Sequence, residues 1–138
     1  MRANSITNST FTDIGLLILR VFLGLGMCLG HGLGKWTKLF SGEEIHFADP
    51  FGLGAFTSLA VAVFAEVVCS ILLTLGLLTR WSLVPLLMTM LVAVFVVHIS
   101  DGFGGMEKAL LYGIGYITIL FTGPGKFSLD AFLKRKSK

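Results

Sequence analysis

The chain has 138 residues, of which 54% are hydrophobic and only 14% charged, with a mean hydropathy of +0.85. A soluble domain carries about 25% charged residues, and one this short is mostly surface. The 11 basic and 8 acidic side chains are too few to cover it. The 17 glycines show no triplet period and there are 2 cysteines, so collagen-like and disulfide-framework chains are excluded. What remains is an integral membrane protein, read as a single domain over residues 1–138.

In chain order, the first thirteen residues (MRANSITNSTFTD) are polar. They lack the basic start and small-residue cleavage pattern of a signal peptide, so the segment is expected to stay in the mature protein. Four apolar runs follow, and they predict helices at about 14–34, 56–78, 81–99 and 107–122. A hydrocarbon core of ~30 Å needs about 20 helical residues. Three runs reach that length, and the fourth does so if its helix begins at Glu107 or earlier. The fold class is therefore all-α, an integral membrane bundle of four transmembrane helices.

Between the first two runs lies the longest connection, KLFSGEEIHFADPFGLG. Its Phe40, Phe47 and Phe51, with Trp36, suit an interfacial belt, and the segment reads as an anchor or as a partial lid over the bundle. With four spans both termini share one face. That face holds Arg2, Arg80, Lys126, Lys134, Arg135, Lys136 and Lys138, and the other holds Lys35, Lys38 and Lys108. The Lys/Arg excess marks the cytoplasmic side, which predicts a bacterial-type inner-membrane protein with both termini cytoplasmic. The basic tail at 126–138 attracts anionic lipid; nucleic acid is not expected as a partner.

A charge at membrane depth costs at least ~2.5 kcal/mol on insertion scales, so each one should have a partner or a task. Arg20 and Glu66 fall on neighbouring helices within roughly one arginine's reach, which makes an ion pair between them feasible. Steps of three and four put Arg20, Gly24, His31 and Lys35 on one face of the first helix. Ser58, Ala62, Glu66, Ser70 and Thr74 form a polar seam on the second, and Tyr112 and Tyr116 are an i, i+4 pair on the fourth. His31, His98 and Glu107 fall near the same ends of their helices. Two imidazoles and a carboxylate suit a proton path or the polar head of a ligand, and also plain structural hydrogen bonding. Metal is not expected, since no local ligand spacing supports it. Cys28 and Cys69 differ in depth, which disfavours a disulfide between them.

The ordered blocks LRVFLGLGMCLGHGLGKW, FAEVVCSILLTLGLLTRW, LVAVFVVHISDGFGG with EKALLYG, and GPGKFSLD resemble the DoxX family of small membrane proteins from about Leu16 to Asp130. The matched positions include Arg20, His31, Lys35, Glu66, Arg80, His98, Glu107 and Asp130. Lys108 stands where family members often have an aromatic residue after the acid. The resemblance implies a four-helix membrane bundle and an association with quinone-linked oxidoreductase systems.

The leading expectation is a quinone- or quinol-linked redox membrane protein, a subunit or accessory of an oxidoreductase complex. In it His31, His98, Glu66 and Glu107 handle protons, and Arg20, His31, Glu66, His98 and Glu107 bind the ligand. The cofactor is unassigned, with quinone or quinol as the candidate. Expected partners are membrane lipid, a quinone, soluble oxidoreductases and further copies of the chain. The alternative is a non-catalytic scaffold that recruits soluble redox enzymes through its basic tail. A small-solute transporter would need oligomerisation, because one chain this short lacks inverted-repeat halves.

Overall fold

In hydrocarbon a backbone N–H has only other backbone or side-chain groups to bond, and each apolar run is accordingly helical. The computed structural model describes residues 2–136, with side chains from residue 9 onward; the side chain of Arg2, and Lys138 of the basic tail, lie outside the described residues. The first helix, α1, is continuous over residues 2–39. It comprises Arg2–Met27, a π turn at Cys28–Gly32, and Leu33–Leu39. Helix α2 (Ala55–Leu75) carries a π segment at Phe64–Cys69. Helix α3 (Thr79–Val97) ends in a third π turn, Ala93–Val97. After the 3-10 turn Ile99–Asp101 comes α4 (Gly102–Thr122), and the chain closes with the short α5 (Leu129–Lys136).

Three of these helices are long and apolar enough to cross a membrane: α1 from Ser9, α2 and α3. Helix α4 has 21 residues, and its start at Gly102 places Glu107 in its second turn. Helix α1 outruns the apolar stretch at both ends. Its Ser9–Leu39 part is 31 residues, roughly 46 Å at the α-helical rise, against a ~30 Å hydrocarbon core. The helix is therefore longer than that thickness by roughly 16 Å.

The bundle is held by two apolar clusters. Leu23, Met27, Leu73, Leu83, Leu86, Met90, Tyr116 and Ile119 fill the centre from all four helices. Cys28, Leu59, Val63 and Val67 form a second cluster, on which Leu39, Ile45 and Phe47 settle. Two glycines allow α1 and α2 to touch backbone to backbone. A Cβ on Gly24 would lie 2.8 Å from the Ser70 carbonyl oxygen, and one on Gly32 would lie 2.6 Å from that of Glu66. Such approach through small residues is the usual way membrane helices gain contact. Both cysteines are buried free thiols.

The end of the bundle that carries the termini is laced by the segment at 123–130. Arg20 is 1% exposed. It donates from Nε to the Thr74 carbonyl (3.2 Å), from Nη1 to that of Pro124 (2.6 Å) and from Nη2 to that of Phe127 (2.8 Å). The expected Arg20–Glu66 pair is therefore not formed. Carbonyls left free at a helix end and in a turn need donors, and a five-donor guanidinium meets several at once. Asp130 accepts from the amides of Leu78 (2.8 Å) and Thr79 (2.9 Å) and so caps α3. Asp13 accepts from the Lys126 amide at 3.0 Å and pairs with its ammonium at 3.1 Å. Gly76, at φ +67°, could carry no side chain: a Cβ there would sit 2.7 Å from Arg20 Nη1.

Candidate functional site

At the opposite end the four helices splay around a cavity of about 950 Å³, within the range of small-molecule sites. Its walls are mostly apolar, with Met27 from α1, Ala62 from α2, Pro85 and Met88 from α3, and Ala109 from α4. Phe47, Pro50 and Phe51 of the long connection close one side. The polar groups that line it are His31, Lys35, His46, Ser58, Glu66, Thr89, His98, Lys108 and Tyr112. The rim also includes Val61, Val84 and Val97, which are 54%, 53% and 45% exposed. It thus reaches the outer faces of α2 and α3, where hydrocarbon would lie.

Three of the five expected site residues are carried by a π turn or stand next to one. His31 lies within the first, Glu66 within the second, and His98 follows the third, its amide donating to the Ala93 carbonyl at 2.9 Å. A π turn inserts one extra residue, re-aims the side chains after it and recurs at functional sites. The first two abut where Gly32 meets Glu66. Lys35 Nζ there donates to Glu66 Oε2 at 2.5 Å, and the two side chains are 28% and 6% exposed. Glu66 has thus exchanged its expected partner, Arg20, for the cation one helical turn beyond His31. This pairing allows an ionised carboxylate inside the bundle, where an isolated one would be costly.

His31 is exposed to the cavity and meets the Tyr112 ring edge-on, centroids 6.0 Å apart. Tyr116 stands fully buried behind Tyr112, also at 6.0 Å. His98 Nδ1 is 2.7 Å from Asp101 Oδ2. A carboxylate accepts, so Nδ1 carries the proton of that bond and Nε2 is left for other partners.

The structure brings His31, Glu66 and His98 to one cavity and leaves two expected site residues outside it. Arg20 is held by carbonyls at the far end. Glu107 is exposed and does not line the cavity, although its neighbour Lys108 does. Lys35, Lys108, Tyr112 and the connection were not among the expected site residues. The three-and-four stepping from His31 already pointed to Lys35. Among the described residues no group of three or more His, Cys, Asp or Glu is arranged to hold a metal ion.

The connection is a built wall. Asp49 accepts from the amides of Leu53 (2.9 Å) and Gly54 (2.8 Å) and from the Ser58 hydroxyl (2.7 Å). Lys38 Nζ donates to the His46 carbonyl at 2.5 Å. The Ser58 hydroxyl and the amides of Gly54, Leu53 and Gly52 hold the Asp49 carboxyl below the usual carboxylate range.

Residues 15–99 match the family model described as DoxX. Two Haemophilus influenzae proteins are similar, each carrying the name uncharacterized protein. One is 33% identical over 131 residues, covering 90% of this chain and 86% of that one; the other is 33% identical over 126 residues, covering 83% and 87%. An uncharacterized membrane protein of Mycobacterium tuberculosis is 31% identical over 145 residues, covering 88% of this chain and 83% of its own. No solved structure matches.

Proposed function

The chain belongs to the DoxX family of membrane proteins, and from that premise we propose that its cavity binds a quinone or quinol ring for a membrane oxidoreductase complex of which the chain is a subunit or accessory. One observation carries this reading. A single apolar cavity, its rim reaching the outer faces of α2 and α3, gathers His31, Lys35, Glu66, His98 and Tyr112 at one end of the bundle. A flat, lipid-soluble ring with polar oxygens on its edge needs such a site, and it would arrive sideways from the bilayer.

Reduction of a quinone takes two electrons and two protons, and the electrons would come from the oxidoreductase partner. The chain's own residues hold the ring and manage protons. The imidazole of His31 and the hydroxyl of Tyr112 are the donors for a ring oxygen. Nε2 of His98, with Nδ1 engaged by Asp101, is free to take or give a proton. The Lys35–Glu66 pair offers a carboxylate and an ammonium within one hydrogen bond. The Lys/Arg bias of the sequence argues for cytoplasmic termini, which would turn the cavity end toward the outer face of an inner membrane.

The test is saturable binding of a short-tailed ubiquinone or menaquinone to the protein in nanodiscs, with empty discs as baseline. His31→Ala and Glu66→Gln should each weaken binding about tenfold, the worth of one good polar contact. Absence of saturable binding, or wild-type affinity in both variants, would overturn the reading.

A further inference from the structure

The charges around the cavity do not balance. Its carboxylate is Glu66, and Lys35 already neutralises it at 2.5 Å. Asp101 bonds to His98 from outside the lining and is not one of the cavity's own charges. Lys108 lines the cavity as well, and among the described residues no carboxylate lies within ion-pair distance of it. Glu107, its neighbour in sequence, sits on a different face of α4 and does not line the cavity. The imidazoles of His31, His46 and His98 add no negative charge. The cavity therefore carries one ammonium in excess.

Helical geometry puts this ammonium where a ligand would lie. Gly104, Lys108 and Tyr112 follow one another at intervals of four, so they form one strip along α4, and all three line the cavity. A Cβ on Gly104 would meet nothing within 4 Å, so the strip has open space on one side of Lys108 and an aromatic ring on the other. Lys108 is exposed at the edge of the cavity, and its unpaired ammonium gains a partner when an anion lies in the space beside it. We propose that Lys108 makes the site selective for rings that carry an ionised acidic substituent, such as a hydroxyquinone or a phenolic acid, over neutral rings of the same shape. This rests on the ring-binding reading above and names its ligand class.

A matched pair of probes tests it: 1,4-naphthoquinone, which is neutral, and 2-hydroxy-1,4-naphthoquinone, which is an anion at neutral pH. Equilibrium dialysis against nanodiscs holding the full chain should show the anion binding about threefold tighter, the order that one exposed charge pair supplies. Added salt should shrink that ratio. Lys108→Gln should bring that ratio to about one, and Lys108→Arg should preserve it. Equal affinities in the wild type would overturn this inference and leave the ring-binding reading standing. Binding of neither probe would overturn both. If decanoate displaces the hydroxyquinone with equal affinity, the site reads the anion without the ring, and the inference as stated fails.

Discussion

The two ends of the bundle treat their charges in opposite ways. At the end with the termini, the buried and half-buried charged groups of the helices are tied into the fold. Arg20 spends its donors on three carbonyls, Asp130 caps α3, and Asp13 holds Lys126. At the cavity end Lys35 pairs with Glu66 and His98 with Asp101, while His31, Lys108 and Tyr112 line open space. The same chemical groups thus act as fasteners where they meet backbone and line a cavity where they do not. Burial alone does not separate the cases, since Arg20 and Glu66 are both buried. What separates them is whether the partner is backbone of the same fold or a side chain beside a cavity.

The largest test of this division is Arg20. Replacing it with alanine leaves three buried or half-buried carbonyls without donors, and each bond from a charged group is worth roughly 1.5–3 kcal/mol. Arg20→Ala should cost about 3–5 kcal/mol in unfolding titrations of the detergent-solubilised protein. Quinone affinity in the fraction that remains folded should be unchanged. A variant that keeps its stability and loses the ligand would move Arg20 to the site and dissolve the contrast.

Arg20 also shows what the sequence could and could not carry. An ionisable group in or beside an apolar run announces that a partner exists, and five residues, Arg20, His31, Glu66, His98 and Glu107, stood out for that reason, although Glu107 does not line the cavity. The identity of Arg20's partners did not, because backbone carbonyls at 74, 124 and 127 have no residue signature. Lys35 and Lys108 were legible as cations near helix ends, where they read as topology signals. The π turns that aim His31 and Glu66 depend on how α1 and α2 meet at Gly32, a tertiary contact that no local pattern encodes. The helices were readable because hydrocarbon leaves the backbone so few choices. Of the polar seam, Ser58, Ala62, Glu66 and Ser70 lie buried and Thr74 is half-buried.

Two glycines of α1, two residues apart, sharpen the comparison further. Gly32 lies against the Glu66 backbone, where a Cβ would come within 2.6 Å of an oxygen that cannot swing away; a Cβ on Gly30 would meet nothing within 4 Å. Gly32→Ala should destabilise by about 1–3 kcal/mol and weaken ligand binding by forcing Lys35 and Glu66 apart. Gly30→Ala should be neutral, or stabilising by up to about 1 kcal/mol, because alanine is the better helix former. Paired melting curves check both. Equal effects at the two positions would mean that the α1–α2 contact does not govern the cavity end.

The smallest expected effect concerns the wall of the cavity and its response to acid. Asp49 pins the connection to the start of α2 through Leu53, Gly54 and Ser58, and these bonds hold its carboxyl below its ordinary value. A carboxylate depressed in the folded state contributes stability above its unfolded pKa of ~3.9, and that contribution fades as pH falls through the lower folded value. The wall should therefore be fully anchored at neutral pH and loosen only below about pH 4. Amide-exchange protection factors at Leu53 and Gly54, corrected for the intrinsic rate at each pH, should drop in that window. Asp49→Asn, which cannot ionise, should show lowered protection with no such step. At the other end Arg20 stays charged across the range, so the carbonyls of Pro124 and Phe127 keep their donor. The Lys126 amide is different: Asp13 accepts its bond and has its own carboxyl held below the ordinary value, so that amide should lose protection in the same window. If the amide of Leu83, in the central cluster, drops there too, the acid response belongs to the whole bundle and not to its carboxylate anchors.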